Sequence, residues 1–409
     1  MDKIKRVKNA CYIVNVSMAI ITNLPPLLFL TFREEYGISF SLLGFLVLLN
    51  FSTQLIIDLI FSFFSHKFNI SFAVKLTPVL TVIGMILFAM SPYIFPNNVF
   101  LGFVIGTIVY SSSGGFAEVL ISPVIAALPS KDPDREMSKL HSVYAWGVVG
   151  VIIFSSIFLF FIGSEYWQFL MLLLTLIPTI SAFLFFGADI PTMETPEKVS
   201  GVFAFLKNKW LWICVLSIFL GGAAECTMAQ WASGYLEQAL GIQKLWGDIF
   251  GVALFSVMLG LGRTLYSKIG KNILKVLLLG VIGASFCYFI SAITNIPVLG
   301  LFACAFTGFC TSMLWPGSLI VASDRFPKGG VFIFAMMAAG GDFGASIGPQ
   351  LIGVITDFAM ENEALINTAS QMNILPEQLG MKVGMFVGML FPLCAVPLYL
   401  YVIKNKNKQ

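Results

Sequence analysis

Twelve runs of about 20 mostly apolar residues, set between charged or turn-rich punctuation, occupy most of this 409-residue chain, and each is long enough to cross the hydrocarbon core of a bilayer as a helix. The spacing predicts spans at Ala10–Thr31, Leu42–Ser65, Phe72–Met90, Val99–Leu128, Ser138–Ile162 and Phe169–Phe186. A second set follows at Leu211–Leu236, Ile249–Tyr266, Ile273–Ile293, Val298–Ala322, Val331–Phe358 and Val383–Ile403. In lipid each backbone N–H and C=O must find a partner inside the protein, and helices of this length satisfy them within one segment. The fold class implied is therefore an all-α membrane protein. Composition agrees, with 58% hydrophobic residues, 40 Phe and a mean hydropathy of +0.90.

Charge sets the direction. With the N-terminus inside, 21 of the 24 Lys and Arg fall on one face of the membrane, and Arg33, Lys244 and Lys382 alone face the other. That asymmetry is a strong positive-inside signal and puts both termini in the cytoplasm of a multi-pass cell-membrane (inner or plasma) protein. The net charge of +3 then reflects topology rather than an anionic partner, and nucleic acid is excluded as one. The basic start at Lys3, Lys5, Arg6 and Lys8 runs into a long apolar stretch without a small-residue cleavage pattern, so it reads as a retained first helix. All seven Cys lie in or beside apolar runs without CxxC or His pairing, which indicates no disulfide framework, zinc site or other cofactor. Sequons at Asn15, Asn50 and Asn69 fall in apolar runs or a cytoplasmic loop and do not read as glycosylation sites.

The polar segment 188–209 divides six spans from six, giving an N-terminal bundle over 1–187, a linker, and a C-terminal bundle over 210–409. Internal repetition supports the division. Gly115 precedes Pro123 in the fourth span as Gly308 precedes Pro316 in the tenth, and Gly147 and Gly150 of the fifth recur as Gly341 and Gly344 of the eleventh, at offsets of 193 and 194. One such match is compatible with generic close packing of small residues. Two consecutive spans at nearly one offset argue for duplicated, pseudo-symmetric six-helix halves with a solute site between them.

Four acids sit inside the spans. Glu225 and Asp342 fall near mid-depth of the seventh and eleventh, Glu118 lies somewhat nearer the cytoplasm in the fourth, and Asp58 is close to the cytoplasmic end of the second. A charge at a helix centre costs roughly 2.5–3.5 kcal/mol, so three ionised acids without partners would cost on the order of 8–10 kcal/mol. Within the spans only Arg263 and a protonated His141 could neutralise them. Either each acid is locked to a backbone or hydroxyl partner and holds helices together, or it is neutral until water or a cation reaches it and so can carry a proton. Glu118, Glu225 and Asp342 are the proton-coupling candidates; Asp58, with Lys67 and Arg263, suits a gating or packing salt bridge.

Trp167, Trp210, Trp212 and Trp246 fall at span ends, where an indole belt is expected, while Trp146, Trp231 and Trp315 lie well inside spans. Core packing explains the inner three, and so does a solute held by an aromatic face plus hydrogen-bonding side chains. The seventh span supplies both kinds of group from Glu225 through Met228 and Gln230–Trp231 to Tyr235, which makes it the expected substrate segment. Pro25, Pro26, Pro123, Pro316 and Pro349 each remove a helix hydrogen bond, which lipid tolerates only where a neighbour or a cavity satisfies the freed carbonyl.

The run Gly114-Gly115-Phe116-Ala117-Glu118, followed by Ser122-Pro123 and by Lys139-Leu140-His141, resembles the fourth and fifth helices of the fucose and related hexose proton symporters of the major facilitator superfamily. Glu225–Tyr235, Gly262-Arg263, Trp315-Pro316 and Gly340–Pro349 are similar to the matching segments of the second half. The resemblance implies the major facilitator fold and gives Glu118 the proton-coupling role of the G-x-x-E glutamate. The intramembrane aspartate that those symporters carry in the first helix is missing here, where the first span offers Thr22, Asn23, Pro25 and Pro26. The loop signature between helices two and three is degenerate at Phe64-Ser65-His66-Lys67-Phe68-Asn69, and the Gly-Pro motif of drug antiporters is absent from the fifth span.

The function implied is a monomeric secondary transporter taking up a small polar solute, a sugar or sugar derivative, by proton symport with alternating access; sodium could replace the proton at the same carboxylates. Asn23, His141, Trp146, Glu225, Gln230, Trp231 and Trp315 are the substrate-contact candidates. The alternative within the fold is a proton-independent facilitator or an efflux transporter of a less polar compound. A membrane-embedded enzyme is disfavoured, since the chain has two His, no HExxH and no extramembrane domain to hold a nucleotide.

Overall fold

The computed structural model describes residues 3–64, 67–129, 133–191, 206–326 and 330–405. His66, Lys131, Lys198 and Lys328 lie outside them, as do the side chains of Arg135, Lys139 and His141. No strand occurs among the described residues. The first six spanning helices are α1 (Lys3–Leu27), α2 (Phe40–Phe64), α3 (Ile70–Ala89), α4 (Val99–Ala127), α5 (Pro133–Ile162) and the broken α6 (Ser164–Phe185). They are followed by α7 (Lys209–Leu240), α8 (Lys244–Tyr266), α9 (Ile273–Ile293), α10 (Pro297–Ala322), α11 (Gly330–Glu361) and α12 (Pro376–Lys404). Eleven meet the length and hydropathy expected of a membrane crossing, and α11, at 32 residues, takes the place of the remaining span.

Packing groups Met1–Thr31 with Leu49–Ser200, and Phe32–Leu48 with Gly201–Gln409. In the first unit α1 lies against α5 and α6, and α3 against α4; in the second α7 lies against α11 and α12, and α9 against α10. The same helix pairs thus meet in each half, as duplication requires. The repeated glycines mark these seams. A methyl on Gly115 would sit 2.7 Å from the Ile57 side chain of α2, and one on Gly308 would strike the Phe255 backbone of α8. Gly147 faces Val16 and Ala19 of α1, while Gly344 abuts the Phe219 carbonyl of α7. Gly150 is the exception, since a methyl there would meet open space.

Polar groups close the ends. Arg6 donates to the carbonyls of Phe183, Leu184 and Phe186 at 3.0, 2.8 and 2.6 Å, satisfying the orphan acceptors at the end of α6. The basic start of α1 is therefore a helix cap as well as a topology signal. In the second unit the first N–H groups of α2 are capped from another helix: Asp357 accepts from Phe40 N at 3.0 Å, Ser41 N at 2.7 Å and the Ser41 hydroxyl at 2.6 Å. Arg33 pairs with Glu377 at 3.1 Å beside this cap.

Several expectations are corrected. Trp167 is not an interfacial anchor: it is fully buried, edge-on to Phe103 at 5.7 Å and Phe88 at 6.2 Å. Trp212 and Trp246, both about half exposed, do sit as belt residues do. Trp146 is 70% exposed, so core packing does not explain it. The three sequon asparagines have structural duties: Asn15 donates to the Leu140 carbonyl, Asn50 accepts from Ser111, and Asn69 caps α3. A short helix that the hydropathy pattern did not predict, Glu363–Gln371, precedes α12 and is capped by Asn362.

Candidate functional site

In the second unit the chemistry gathers around Glu225 on α7. Pro316 on α10 has no N–H to return to the Ser312 carbonyl four residues earlier, and α10 breaks there, between Thr311 and Leu314. The freed carbonyl accepts from Arg263 Nε of α8 at 3.0 Å. The same guanidinium reaches Glu225 Oε1 with its Nη2 at 3.5 Å. Glu225 Oε2 is buried and has no hydrogen-bond partner among the described residues. Arg263 thus ties a proline-broken helix to an intramembrane acid while leaving half of that carboxylate available. Gly262 makes the approach possible, since a side chain there would strike Ser312.

The half-buried indole of Trp315 lies against Gly222 of α7 and Gly341 of α11. A methyl on Gly341 would overlap the six-membered ring, so the glycine is a seat for the indole. Asp342 follows directly and is buried. Cys226 lies within coulombic range of Glu225, Asp342 and Arg263, which places the two acids in one neighbourhood of this unit.

The rest of the expected substrate segment is mostly closed. Trp231 is buried, donates its indole N–H to the Pro349 carbonyl at 2.8 Å and packs its ring on Phe40 at 5.9 Å. Tyr235 is buried and donates to the Ser291 carbonyl. Gln230 is buried as well. The 225–235 stretch therefore divides into a partly exposed start at Glu225 and a packed continuation.

The first unit holds a second centre that the residue-by-residue reading missed. On α2, Asn50, Gln54 and Asp58 recur every four residues and are all buried, forming one polar stripe. Opposite, α4 presents Ser111, Gly114, Gly115 and Glu118. Asn50 accepts from Ser111 at 2.6 Å and from Gln54 at 3.1 Å, and Gln54 lies on Gly114. At the end of the stripe the carboxylates of Asp58 and Glu118 bring oxygens within 4.8 Å of each other. Asp58 is buried and Glu118 exposed. The two can share a proton or hold a cation together; the i, i+4, i+8 polar spacing in an otherwise apolar helix was the available signal.

The remaining candidates are scattered. Asn23 donates back to the Ala19 carbonyl at 2.9 Å. Lys67 is exposed, with Nζ 5.3 Å from the Phe64 ring centre. Lys67 thus lies beside Phe64, while the carboxylate of Asp58 lies near that of Glu118. His141 is part of α5, with its side chain outside the described residues.

Solved structures share this architecture. The chain is similar to a bacterial homolog of the human lysosomal transporter Spinster, in an inward-facing and unoccupied conformation, with a TM-score of 0.77 at 12% identity over 99% of this chain and 98% of that one. It is also similar to the nucleoside transporter NupG, at 0.71 and 13% over 98% and 99%, and to a D-xylose-proton symporter, at 0.67 and 16% over 97% and 98%. At these identities the likeness is one of fold. No curated protein sequence matches significantly. Residues 10–349 match the sequence profile described as Major Facilitator Superfamily. With twelve long helices among the described residues and most of its length in that profile, the chain is a membrane transporter rather than an enzyme and belongs to the major facilitator superfamily.

Proposed function

We propose that this protein moves a small polar solute, a sugar or sugar derivative, across the plasma membrane by proton symport with alternating access, its termini in the cytoplasm. The Asp58–Glu118 pair carries the reading. Two ionised carboxylates no more than 4.8 Å apart repel by at least about 3.5 kcal/mol at an effective dielectric of 20, so the pair favours holding one proton between them. The first-helix aspartate of the hexose symporters is missing, and Asp58 of α2 supplies the second acid from another helix. Asn50 and Gln54 extend the buried polar stripe toward the pair.

In the second unit, Glu225, Arg263 and Asp342 form the solute-side centre, with the Trp315 face as the platform for a sugar ring. Release of Glu225 from Arg263 would let the carboxylate accept solute hydroxyls, which links binding to the charge balance of the centre. Two similar folds are named for D-xylose–proton symport and for nucleoside transport, and both kinds of solute carry sugar hydroxyls.

The test is Glu118→Gln, with Asp58→Asn beside it, in proteoliposomes loaded with a sugar identified by thermal-shift screening. Proton-driven accumulation is expected to vanish in Glu118→Gln while counterflow exchange persists. Accumulation at the unmodified level, or accumulation sustained by sodium alone, would remove the proton-coupling role.

A further inference from the structure

Apart from the carboxyl centres, the second unit contains a cavity of about 780 Å³ at the ends of α7, α9, α10 and α12. No residue assigned above to the proton or solute centres lines it. Its floor is hydroxylic: Tyr399 and Ser318, both buried, place their hydroxyls 3.2 Å apart. Its walls include apolar Ile273 and Val321, and Trp210. Around it stand Lys271 and Arg325, with Asp324 as the acid among the lining residues. Arg325 is held in place, its guanidinium carbon 3.7 Å from the Trp210 ring centre. Two long helices also begin here, α7 capped by Asn208 and α9 capped by Asn272, and both capping residues line the space. Helix N-termini carry partial positive charge, so they add to the two cations against one acid.

The volume is that of a small-molecule site, and its chemistry is amphipathic: cations and helix starts with hydroxyls and apolar wall. It also lies at the helix ends that the basic loops assign to the cytoplasmic side, among Lys268, Lys271, Lys275 and Arg325. Basic pockets between membrane helices at that depth suit phosphate-bearing headgroups. We propose that this cavity binds an amphipathic phosphate anion, the phosphate held by Lys271 and Arg325 and the apolar part lying along Ile273 and Val321. An anionic phospholipid and a soluble organic phosphate share this chemistry.

The experiment is native mass spectrometry of the full chain, delipidated in detergent and titrated with phosphatidylglycerol, phosphatidylcholine or glycerol 3-phosphate. Phosphatidylglycerol retained over phosphatidylcholine identifies the lipid source, and saturable glycerol 3-phosphate binding identifies the soluble one. In either case Lys271→Gln should weaken binding about five- to tenfold. Val321→Phe, which fills the cavity and leaves its charges in place, should reduce binding to a similar degree. Arg325→Gln also removes the stack on Trp210, so the first two variants, checked for unchanged elution and melting, decide the matter. Neither anion bound in preference to phosphatidylcholine, or undiminished binding in both well-folded variants, overturns the proposal.

Discussion

Replacing Arg263 by alanine removes two contacts at once, and the geometry separates them. The guanidinium-to-Glu225 distance of 3.5 Å corresponds to about 4.7 kcal/mol at an effective dielectric of 20. The Arg263 side chain is 42% exposed, and water there reduces the attraction toward the ~1–3 kcal/mol of a charge-assisted hydrogen bond. The second contact, Nε to the Ser312 carbonyl at 3.0 Å, satisfies an acceptor that Pro316 left without a helix partner, and losing it costs another ~1–2 kcal/mol. Arg263→Ala should therefore destabilise the protein by ~2–5 kcal/mol. In the Glu225→Gln background the same substitution should cost only the carbonyl part. Equilibrium unfolding of the four proteins in mixed micelles gives the coupling directly, expected at ~1–3 kcal/mol. Arg263→Lys should recover charge pairing without the two-armed reach. Additive single effects, with coupling below about 0.5 kcal/mol, would refute the claim that Arg263 neutralises Glu225 and return it to a purely structural clamp on α10.

Other consequences follow from single contacts. Asp357→Ala strips three donors at the start of α2 of their acceptor and should destabilise by ~2–3 kcal/mol, with Asp357→Asn milder, in the same unfolding assay. Gly344→Leu, which must displace the Phe219 backbone, should abolish monodisperse elution in size-exclusion chromatography, whereas Gly150→Ala, facing open space, should elute and melt like the parent. Lys3, donating to Asp189 at 2.9 Å, holds that exposed carboxyl below its ordinary range. A lowered folded-state value means the contact stabilises above the unfolded carboxylate pKa and is lost as pH falls through the folded one. A small acid-side loss of melting temperature should accordingly disappear in Lys3→Gln and at high salt.

What could be read in advance was whatever follows from one segment at a time. The Leu42–Ser65 run needs only its own hydropathy to be recognised as a span, and the offset of Gly115–Pro123 from Gly308–Pro316 needs only counting. Because lipid forces each backbone polar group to be satisfied within its helix, a single run determines a whole element, and the loop cations determine its direction. Depth alone misled for Trp167, which sits at a span end yet is enclosed by Phe88 and Phe103, because which side of a helix meets a neighbour depends on that neighbour.

Partnership was decided only by the tertiary structure. The sequence named Asp58, Glu118, Glu225 and Arg263 as separate oddities; packing α2 on α4 made the first two a pair, and the break at Pro316 drew Arg263 to Ser312 and Glu225. Trp231, the indole of the expected substrate segment, became a packing group once Pro349 accepted its N–H. A side chain's cost in the membrane is local and can be tallied from its own position, whereas its charge state and purpose depend on atoms from other helices a few ångströms away, and those distances exist only in the folded chain.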